Sequence, residues 1–412
     1  MKRYKLLNNV LGWVVFVIAA VTYILTLEST ASFWDCGEFI ASGYKLEVGH
    51  PPGNPIFMLT ARFFANFASS PSEVAYMVNL MSGLLSAATI LLLFWTITRL
   101  AQKIVLRDGE TEETMSLGQM IAILGCGLVG ALAYAWSDTF WFSAVEGEVY
   151  AYSSFCTALV FWLILKWESV ADLPYANRYI ILIAYIIGVS IAVHLLNLLC
   201  IPAIVLVYYY RKYKNTDLKG SLIALLVSFV LIVLLLYGLV PGFVEVASWV
   251  ELLFVNVFHL PFNSGVVFYF FLIVGVIAWA IYETYAQRSD KLIKISFLIS
   301  IVLVGIPFIG DGYIIGIVLT AALAYYLFTR KKLAVVAMNT ILLSLFVIFI
   351  GYSSYALIVI RSTANTPMDQ NSPEDIFSLG GYLNREQYGD RPLFYGCLLY
   401  TSDAADEARS GD

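Results

Sequence analysis

Three side chains suited to acid–base or phosphate chemistry lie in residues 33–55, FWDCGEFIASGYKLEVGHPPGNP. Asp35 and Glu38 are three residues apart, so on a helix they share one face. A carboxylate held in this way can accept the proton of an attacking hydroxyl group. His50 precedes three prolines, which lack backbone donors and cannot continue a helix. The stretch predicts a short helix that presents two carboxylates and is closed by a turn carrying His50.

A second acidic stretch, WSDTFWFSAVEGEVYAYSSF at 136–155, contains Glu146 and Glu148. Residues two apart point in opposite directions on a strand and far apart on a helix, so we expect only one of them to face a shared cavity. An unpartnered charge at the mouth of a membrane span is costly. Both a substrate-binding role and an incidental place in an aromatic interfacial belt are compatible with this pattern.

A third polar interruption is SIAVHLLNLLCIP, where His194 and Asn197 lie between two apolar runs. A histidine at a helix end often serves in packing or capping. Placed beside the acidic stretches, it could instead bind a phosphate. The sequence leaves both roles open.

The composition requires most of the chain to lie in lipid. Of 412 residues, 60% are hydrophobic and 13% are charged, whereas a soluble domain carries about a quarter charged residues. No basic patch indicates nucleic acid. The five cysteines have no metal-type spacing and are odd in number, so neither a disulfide framework nor a zinc site is indicated.

Apolar runs of about 17–25 residues predict transmembrane helices. The chain contains about eleven candidates, with an N-terminal run that lacks a cleavage site and is expected to be retained as the first span. The two short pairs around His194 and Asp311 leave no room for a real loop between their members. The candidate spans are 9–27, 76–98, 118–136, 151–167, 179–193, 195–210, 221–240, 265–283, 294–309, 313–329 and 333–360.

The distribution of lysine and arginine predicts the orientation. With the N-terminus inside, 18 basic residues fall on the inner side and only Lys45, Arg62 and Arg361 fall outside before the C-terminal tail. Such a bias follows the positive-inside rule. The predicted topology is N-in and C-out, with all three acidic or histidine-containing stretches on the outer face.

The composition changes after Ile360. We expect residues 1–360 to form a multi-pass catalytic domain and residues 361–396 to begin an extracytoplasmic region that is too short to bury a core of its own. Residues 397–412, CLLYTSDAADEARSGD, do not continue the preceding pattern and resemble translated adapter sequence. They are expected to be a non-native tail that follows a truncation.

Several motifs resemble a known group of proteins. The arrangement of an acidic first outer loop, a multi-pass helical body and an outward tail is similar to the GT-C glycosyltransferases. WDCGEFIASGYKLEVGHPPGNPIF, AVEGEVYA, VHLLNLLCIPAI and IRSTANTPMDQNSPEDIFSLGGYLNREQYGDRPLFYG resemble, more closely, a bacterial group related to the eukaryotic protein O-mannosyltransferases. The resemblance covers residues 8–396.

The resemblance implies a polyprenyl-phosphate sugar as donor and the Ser or Thr hydroxyl of an exported protein as acceptor. It implies that Asp35 is the base and that Glu38 positions the acceptor or a metal. Related enzymes differ in metal dependence, so a divalent cation is possible and its ligands stay unknown. The expected place of action is the periplasmic face of a bacterial cytoplasmic membrane. The remaining candidates for substrate binding are His50, Glu146, Glu148, His194, Asn197 and Arg361.

Two other functions compete with this interpretation. A transporter or flippase for a lipid-linked sugar would place ionisable residues at mid-membrane and repeat its motifs in two halves. Here the span centres are nearly free of charge, and the opening motif has no counterpart in the second half. A non-catalytic assembly partner would not require the clustered outer acids. The sequence therefore favours an enzyme.

Overall fold

The computed structural model describes residues 2–107, 109–309 and 313–389. The structure is 77% helical. The described residues contain no strand and form one isolated β-bridge, between Val48 and Asp369. The prediction of an all-α polytopic membrane protein is confirmed.

Seventeen α-helices occupy the described residues, joined by short 3-10 and π-helical segments. They are α1 Lys2–Leu25, α2 Cys36–Lys45, α3 Pro55–Ala65, α4 Val74–Val105, α5 Leu117–Ala135, α6 Asp138–Ala144, α7 Val149–Val170, α8 Asn177–Ile191, α9 Ile201–Lys212, α10 Leu218–Val233, α11 Val240–Leu252, α12 Ser264–Ala286, α13 Asp290–Leu303, α14 Tyr313–Thr329, α15 Val335–Tyr352, α16 Ala356–Thr363 and α17 Ile376–Leu383.

Eight helical segments in the described residues are long and apolar enough to cross a membrane, compared with the eleven predicted. The other three predicted spans form α8, α13 and α14, of 15, 14 and 17 residues. At 1.5 Å per residue these helices reach roughly 21–26 Å, which is less than the ~30 Å hydrocarbon core. Hydropathy alone could not give these lengths, because the short helices are as apolar as the long ones.

One predicted span continues much further than the sequence indicates. The run predicted at 221–240 belongs to a helical segment that extends from Leu218 to Val257. Pro241 does not end it, because a π-helical segment at Leu234–Leu239 precedes α11 and Pro241 lies in the first turn of that helix. Proline is tolerated at such a position, since its missing N–H has no helical partner there.

The two pairs of short spans have different outcomes. At His194 the chain makes a tight turn after α8 and enters a 3-10 helix, Leu195–Cys200, before α9. As predicted, no long loop separates these two helices; a turn and a 3-10 helix connect them. Asp311, the centre of the other pair, lies outside the described residues.

The short helix α8 is held by close packing against α15. A Cβ atom added to Gly351 would lie 2.4 Å from the backbone carbonyl carbon of Gly188, so the two backbones touch. Small residues allow this close approach between helices in a membrane protein. On the other side of the molecule α4 packs against α1, α5 and α7, and this second group positions the acidic stretches.

The predicted outer stretches meet at one end of the molecule. A backbone hydrogen bond of 3.2 Å from Glu28 to Val145 connects the loop after α1 to the end of α6. One of 3.1 Å from Ile56 to Ala192 connects the start of α3 to the end of α8. A third, of 3.0 Å from Val48 to Met368, connects the loop after α2 to the segment after α16. The other end holds basic residues in ion pairs, among them Lys5 with Glu112, Lys103 with Glu168 and Arg211 with Asp172. These basic residues are among those that the positive-inside pattern assigns to the inner side, and the orientation stays a prediction.

The polar segment after α16 lies against the first of these loops and forms no core of its own. Tyr382 in α17 is buried, and its hydroxyl donates to the carbonyl oxygen of Gly49 at 2.6 Å. Gly53 has a φ of +74°, and a Cβ atom there would lie 2.7 Å from the Tyr382 hydroxyl. Glycine is therefore required in this turn for both its backbone conformation and its lack of a side chain.

Candidate acidic and cationic site

Helix α2 presents the two carboxylates of the first stretch as the sequence predicts. Asp35 occupies the position before the first residue of α2, and its backbone carbonyl accepts from Phe39 N at 2.9 Å. Phe39 and Ile40 are buried beneath the helix, so its polar face points away from the core. The Asp35 side chain is exposed and accepts no hydrogen bond from the described residues. It is free to receive a proton from a bound molecule.

Glu38 forms an ion pair with His50. Its Oε1 atom accepts from the backbone N of His50 at 2.6 Å and lies 2.9 Å from His50 Nδ1. The hydrogen bond from Glu38 raises the pKa of His50, and burial opposes this effect only in part. Although burial alone would raise the pKa of Glu38, the His50 contacts lower it below its ordinary value. The pair therefore favours an imidazolium next to a carboxylate.

Glu146 and Glu148 lie together, which corrects the expectation that only one of them faces a shared space. Both are buried, with exposures of 2% and 8%. Residues 145–148 form neither helix nor strand, and Glu148 N donates to the carbonyl oxygen of Glu146 at 3.0 Å. This local turn removes the regular spacing on which the expectation depended, so both carboxyl groups point to one place.

Cys36 completes this cluster, and the sequence analysis had set it aside. Its fully buried Sγ donates to Glu146 Oε2 at 3.5 Å. The ligand atoms of Cys36, Glu146 and Glu148 all lie within 4.8 Å of one another. Spacing rules could not find this group, because 110 residues separate the thiol from the first glutamate.

The cluster contains several acidic groups and is buried, and both features raise the pKa values of its members. Burial, followed by the charges of Glu146 and Asp35, raises the pKa of Glu148 to about 7. Burial also raises the pKa of the Glu146 carboxyl and of the Cys36 thiol. Near neutral pH the cluster therefore holds protons that exposed groups would have released.

These three side chains could hold a divalent cation, and the structure supplies one observation for this and one against it. The Glu148 carboxylate is buried but accepts no hydrogen bond from the described residues, which leaves it available to a ligand. The Cys36 thiol, however, carries a proton that it donates to Glu146, and a metal ion would have to displace that proton.

His194 contacts Tyr150, which also lies within electrostatic reach of Glu148 and Asp35. The rings of His194 and Tyr150 are 5.4 Å apart, and His194 Nδ1 accepts from Leu196 N at 3.2 Å. Burial and the nearby charge of Arg385 lower the pKa of His194, so a neutral imidazole with a proton on Nε2 is favoured. Asn197 is fully buried, and neither polar atom of its amide has a partner in the described residues.

Arg361 binds the backbone at the end of α2 and is not part of this site. Its guanidinium donates to the carbonyl oxygens of Leu46 at 2.6 Å and Lys45 at 3.3 Å, at the C-terminal end of α2. These bonds satisfy carbonyl groups that the helix end leaves free. The structure thus gives Arg361 a role in holding α2, and within the described residues its side chain forms no hydrogen bond or ion pair with the other candidates.

Arg385 is the cation that the sequence analysis missed. It is exposed, follows α17 in a left-handed conformation with φ of +59°, and acts electrostatically on both His50 and His194. Gln370, from the same docked segment, hydrogen-bonds to Glu38. Both residues come from a segment whose docking on the first loop was not predicted.

The site therefore has two halves. The acidic half contains Asp35 at the surface with Cys36, Glu146 and Glu148 beneath it. The cationic half contains His50 and Arg385, together with the neutral imidazole of His194 as a hydrogen-bond donor. A site of this kind can accept a proton on one side and hold an anionic group on the other.

Comparison with known proteins places this site within a matched region. A family model described as the Protein O-mannosyl-transferase TMEM260 N-terminal domain matches residues 35–217. This chain is similar to the protein O-mannosyl-transferases. The matched region begins at Asp35 and includes every sequence-predicted site residue except Arg361.

Two curated proteins show the same similarity. Protein O-mannosyl-transferase TMEM260 of Mus musculus is 27% identical over 209 residues, which are 51% of this chain and 27% of that protein. Protein O-mannosyl-transferase tmem260 of Dictyostelium discoideum is 23% identical over 149 residues, 36% of this chain and 16% of that protein. The alignments thus span about a quarter or less of these relatives. No solved structure matches the chain.

Proposed function

We propose that this protein is an integral-membrane glycosyltransferase of the GT-C type. It transfers a mannose-like hexose from a polyprenyl-phosphate donor to Ser or Thr hydroxyls of exported proteins. The observation that carries the proposal is the exposed Asp35 carboxylate close to the cations His50 and Arg385, at one end of a bundle of membrane-length helices. The similarity to protein O-mannosyl-transferases supports the same reaction class.

The reaction needs one base and one anion site. The acceptor oxygen attacks C1 of the sugar while the bond between C1 and the phosphate oxygen breaks. The Asp35 carboxylate takes the hydroxyl proton, and the polyprenyl phosphate departs as an anion. General-base catalysis of this kind contributes about 10²–10⁴ in rate.

The cationic half is suited to the leaving phosphate. His50 is biased towards its charged form by Glu38, and Arg385 supplies a second, permanent charge. His194 can donate from Nε2, because its Nδ1 atom is occupied by Leu196 N. Together these groups would stabilise negative charge as it grows in the transition state.

The buried acids have a supporting part in this proposal. Glu146 and Glu148 lie below Asp35 and interact with it or with its neighbours through their charges. If a divalent cation binds, Cys36, Glu146 and Glu148 would hold it, and it would supply additional positive charge. The protein is proposed to act at the outer face of a bacterial cytoplasmic membrane, since the basic helix ends lie opposite the site.

Sealed membrane vesicles distinguish this function from a flippase. Vesicles that contain the protein would receive a polyprenyl-phosphate hexose labelled in the sugar, together with an acceptor peptide that contains Ser and Thr. We expect label on the peptide, and we expect Asp35→Asn to abolish most of it. Label that crosses the bilayer without reaching the peptide would indicate a flippase and contradict the proposal.

Asp138→Asn is the matched control for this experiment. Asp138 is an exposed acid that begins α6, on the same end of the molecule, and its side chain forms no hydrogen bond or ion pair in the described residues. The control should transfer sugar as the wild type does. If it loses activity to the same extent as Asp35→Asn, the loss reflects surface charge in general and not a base at Asp35.

A further inference from the structure

A cavity of about 440 Å³ opens between α1, α4 and α7, at the end of the molecule opposite the candidate site. Its size falls within the ~300–1,000 Å³ range of small-molecule sites. Helix α7 begins beside Glu148 and reaches the cavity at Lys166. At 1.5 Å per residue this places the two sites roughly 25 Å apart along the helix axis.

Each of the three helices contributes one cation to the cavity: Lys5 from α1, Arg99 from α4 and Lys166 from α7. Among the described residues, Glu112 is the only acid that lines it, and Lys5 Nζ lies 3.7 Å from the Glu112 carboxylate. The cavity therefore carries an excess of positive charge.

The two cations that remain, Arg99 and Lys166, form no ion pair in the described part of the chain, although the charge of Glu112 also acts on Lys166. Arg99 Nη1 donates to Gln102 Oε1 at 3.3 Å, and Lys166 Nζ lies 4.8 Å from the centre of the Trp162 ring. Neither neighbour neutralises its charge. Arg and Lys arranged in this way bind phosphate groups through charge-assisted hydrogen bonds.

The cavity also contains an unpartnered acceptor. The Oδ1 atom of Asn8 is buried and has no hydrogen-bond partner in the described residues. A buried acceptor of this kind is usually satisfied by a donor from a ligand or from water. If the Asn8 amide turns towards the cavity, a hydroxyl group carried by the same ligand as the phosphate would meet this requirement.

An aromatic wall connects the cavity to the lipid-facing surface. The rings of Trp162 and Trp95 lie 5.8 Å apart, and Trp95 contacts Trp13 edge-on at 6.4 Å. Trp13 is 52% exposed at the surface of the helix bundle. Trp13, Trp95 and Trp162 lie near the ends of the predicted spans 9–27, 76–98 and 151–167. Tryptophan near the end of a span is typical of the membrane interface, where a lipid headgroup joins its acyl chains.

We propose that this cavity binds the phosphate headgroup of an anionic glycerophospholipid. The phosphate lies between Arg99 and Lys166, a headgroup hydroxyl donates to Asn8, and the glycerol follows the tryptophan wall towards the bilayer. Basic pockets between transmembrane helices at their cytoplasmic ends are a recurrent way to bind anionic lipids. The same phosphate-ester chemistry could also come from a soluble molecule, which the experiment must separate from a lipid.

Native mass spectrometry of the purified, delipidated protein in a neutral detergent tests the proposal. Phosphatidylglycerol should bind with one saturable site, and phosphatidylcholine should bind much more weakly. The double variant Arg99→Gln/Lys166→Gln should weaken phosphatidylglycerol binding by about 30-fold, at ~1 kcal/mol for each basic residue removed. Equal binding by the wild type and the variant would overturn the proposal.

A charge-matched control is Lys331→Gln/Lys332→Gln, since both lysines are exposed, follow α14 and lie outside the cavity. It should retain wild-type binding. Asn9→Glu provides a second variant that removes no cation, because Asn9 is an exposed residue of the cavity lining. It adds negative charge and should also weaken binding. Phosphatidylcholine binding as tight as that of phosphatidylglycerol would contradict the proposal.

A competition experiment identifies the source of the phosphate. If glycerol 3-phosphate does not displace phosphatidylglycerol at equal concentration, the ligand is a lipid. If glycerol 3-phosphate binds as tightly and is lost in the double variant, the cavity recognises a soluble phosphate ester, and the lipid assignment is wrong. Neither result depends on sugar transfer, so this inference and the proposed function can fail separately.

Discussion

The Glu148 carboxyl should make the stability of the folded protein depend on pH. Its pKa is raised from an ordinary value of 4.5 to about 7, first by burial and then by the charges of Glu146 and Asp35, with a small opposing effect from His50. The folded state therefore binds more protons than the unfolded state between these two values. The contribution of Glu148 to stability is therefore fully present below pH ~4.5 and is lost as the pH rises through about 7.

The size of this effect follows from the shift. Each tenfold change in proton affinity corresponds to about 1.4 kcal/mol, so the free energy of unfolding should decrease by up to ~3 kcal/mol across this range. Glu148→Gln keeps the shape of the side chain and removes the charge. The variant should match the wild type near pH 4.5 and exceed it above pH 7 by up to ~3 kcal/mol.

Thermal unfolding in detergent, followed by tryptophan fluorescence from pH 4.5 to 8, measures this difference. Glu113→Gln removes an exposed acid from an inner loop and should leave the pH dependence unchanged. A Glu148→Gln curve parallel to that of the wild type would refute the reasoning. Repeating the series with a chelator separates proton binding from cation binding at the same carboxylate, because a bound cation would make Glu148→Gln destabilising at high pH.

Three other changes test particular contacts. Glu38→Gln should lower the pKa of His50, measured by NMR titration of labelled histidine, because the carboxylate that raises it is gone; an unchanged pKa would contradict the pairing. Gly351→Ala should destabilise the protein by about 1–3 kcal/mol in thermal unfolding, since its Cβ would lie 2.4 Å from the Gly188 backbone; Gly275→Ala, with open space around it, should not. Tyr382→Phe should cost about 1 kcal/mol and speed limited proteolysis at 364–389, because the bond to Gly49 is lost; Tyr388→Phe, whose ring is exposed, is its control.

Local patterns in the sequence predict part of this site correctly. The three-residue spacing of Asp35 and Glu38 predicts one helical face, and α2 provides it. The prolines after His50 predict a turn, and the turn holds His50 against Glu38. Both inferences concern residues close in the chain, where backbone geometry decides the outcome.

Contacts between distant residues could not be predicted in this way. Cys36 meets Glu146 because the fold brings the first residue of α2 to the irregular segment after α6. Arg385 reaches the histidines because the segment after α16 docks on the first loop. The number of membrane-length helices also depends on packing. The sequence predicts a span at 179–193, whereas α8 has only 15 residues and packs against α15 where Gly188 meets Gly351.

Transfer of one hexose to a peptide by purified protein tests the central claim most directly. Wild type, Asp35→Asn and Asp138→Asn would each be mixed with polyprenyl-phosphate mannose and a Ser- and Thr-containing peptide, and the peptide mass would be followed over time. The proposed mechanism predicts that the wild type and Asp138→Asn each add one hexose to the peptide. The rate of transfer by Asp35→Asn should be about 10²–10⁴-fold lower. Equal rates for all three proteins would show that Asp35 is not the base and would contradict the account.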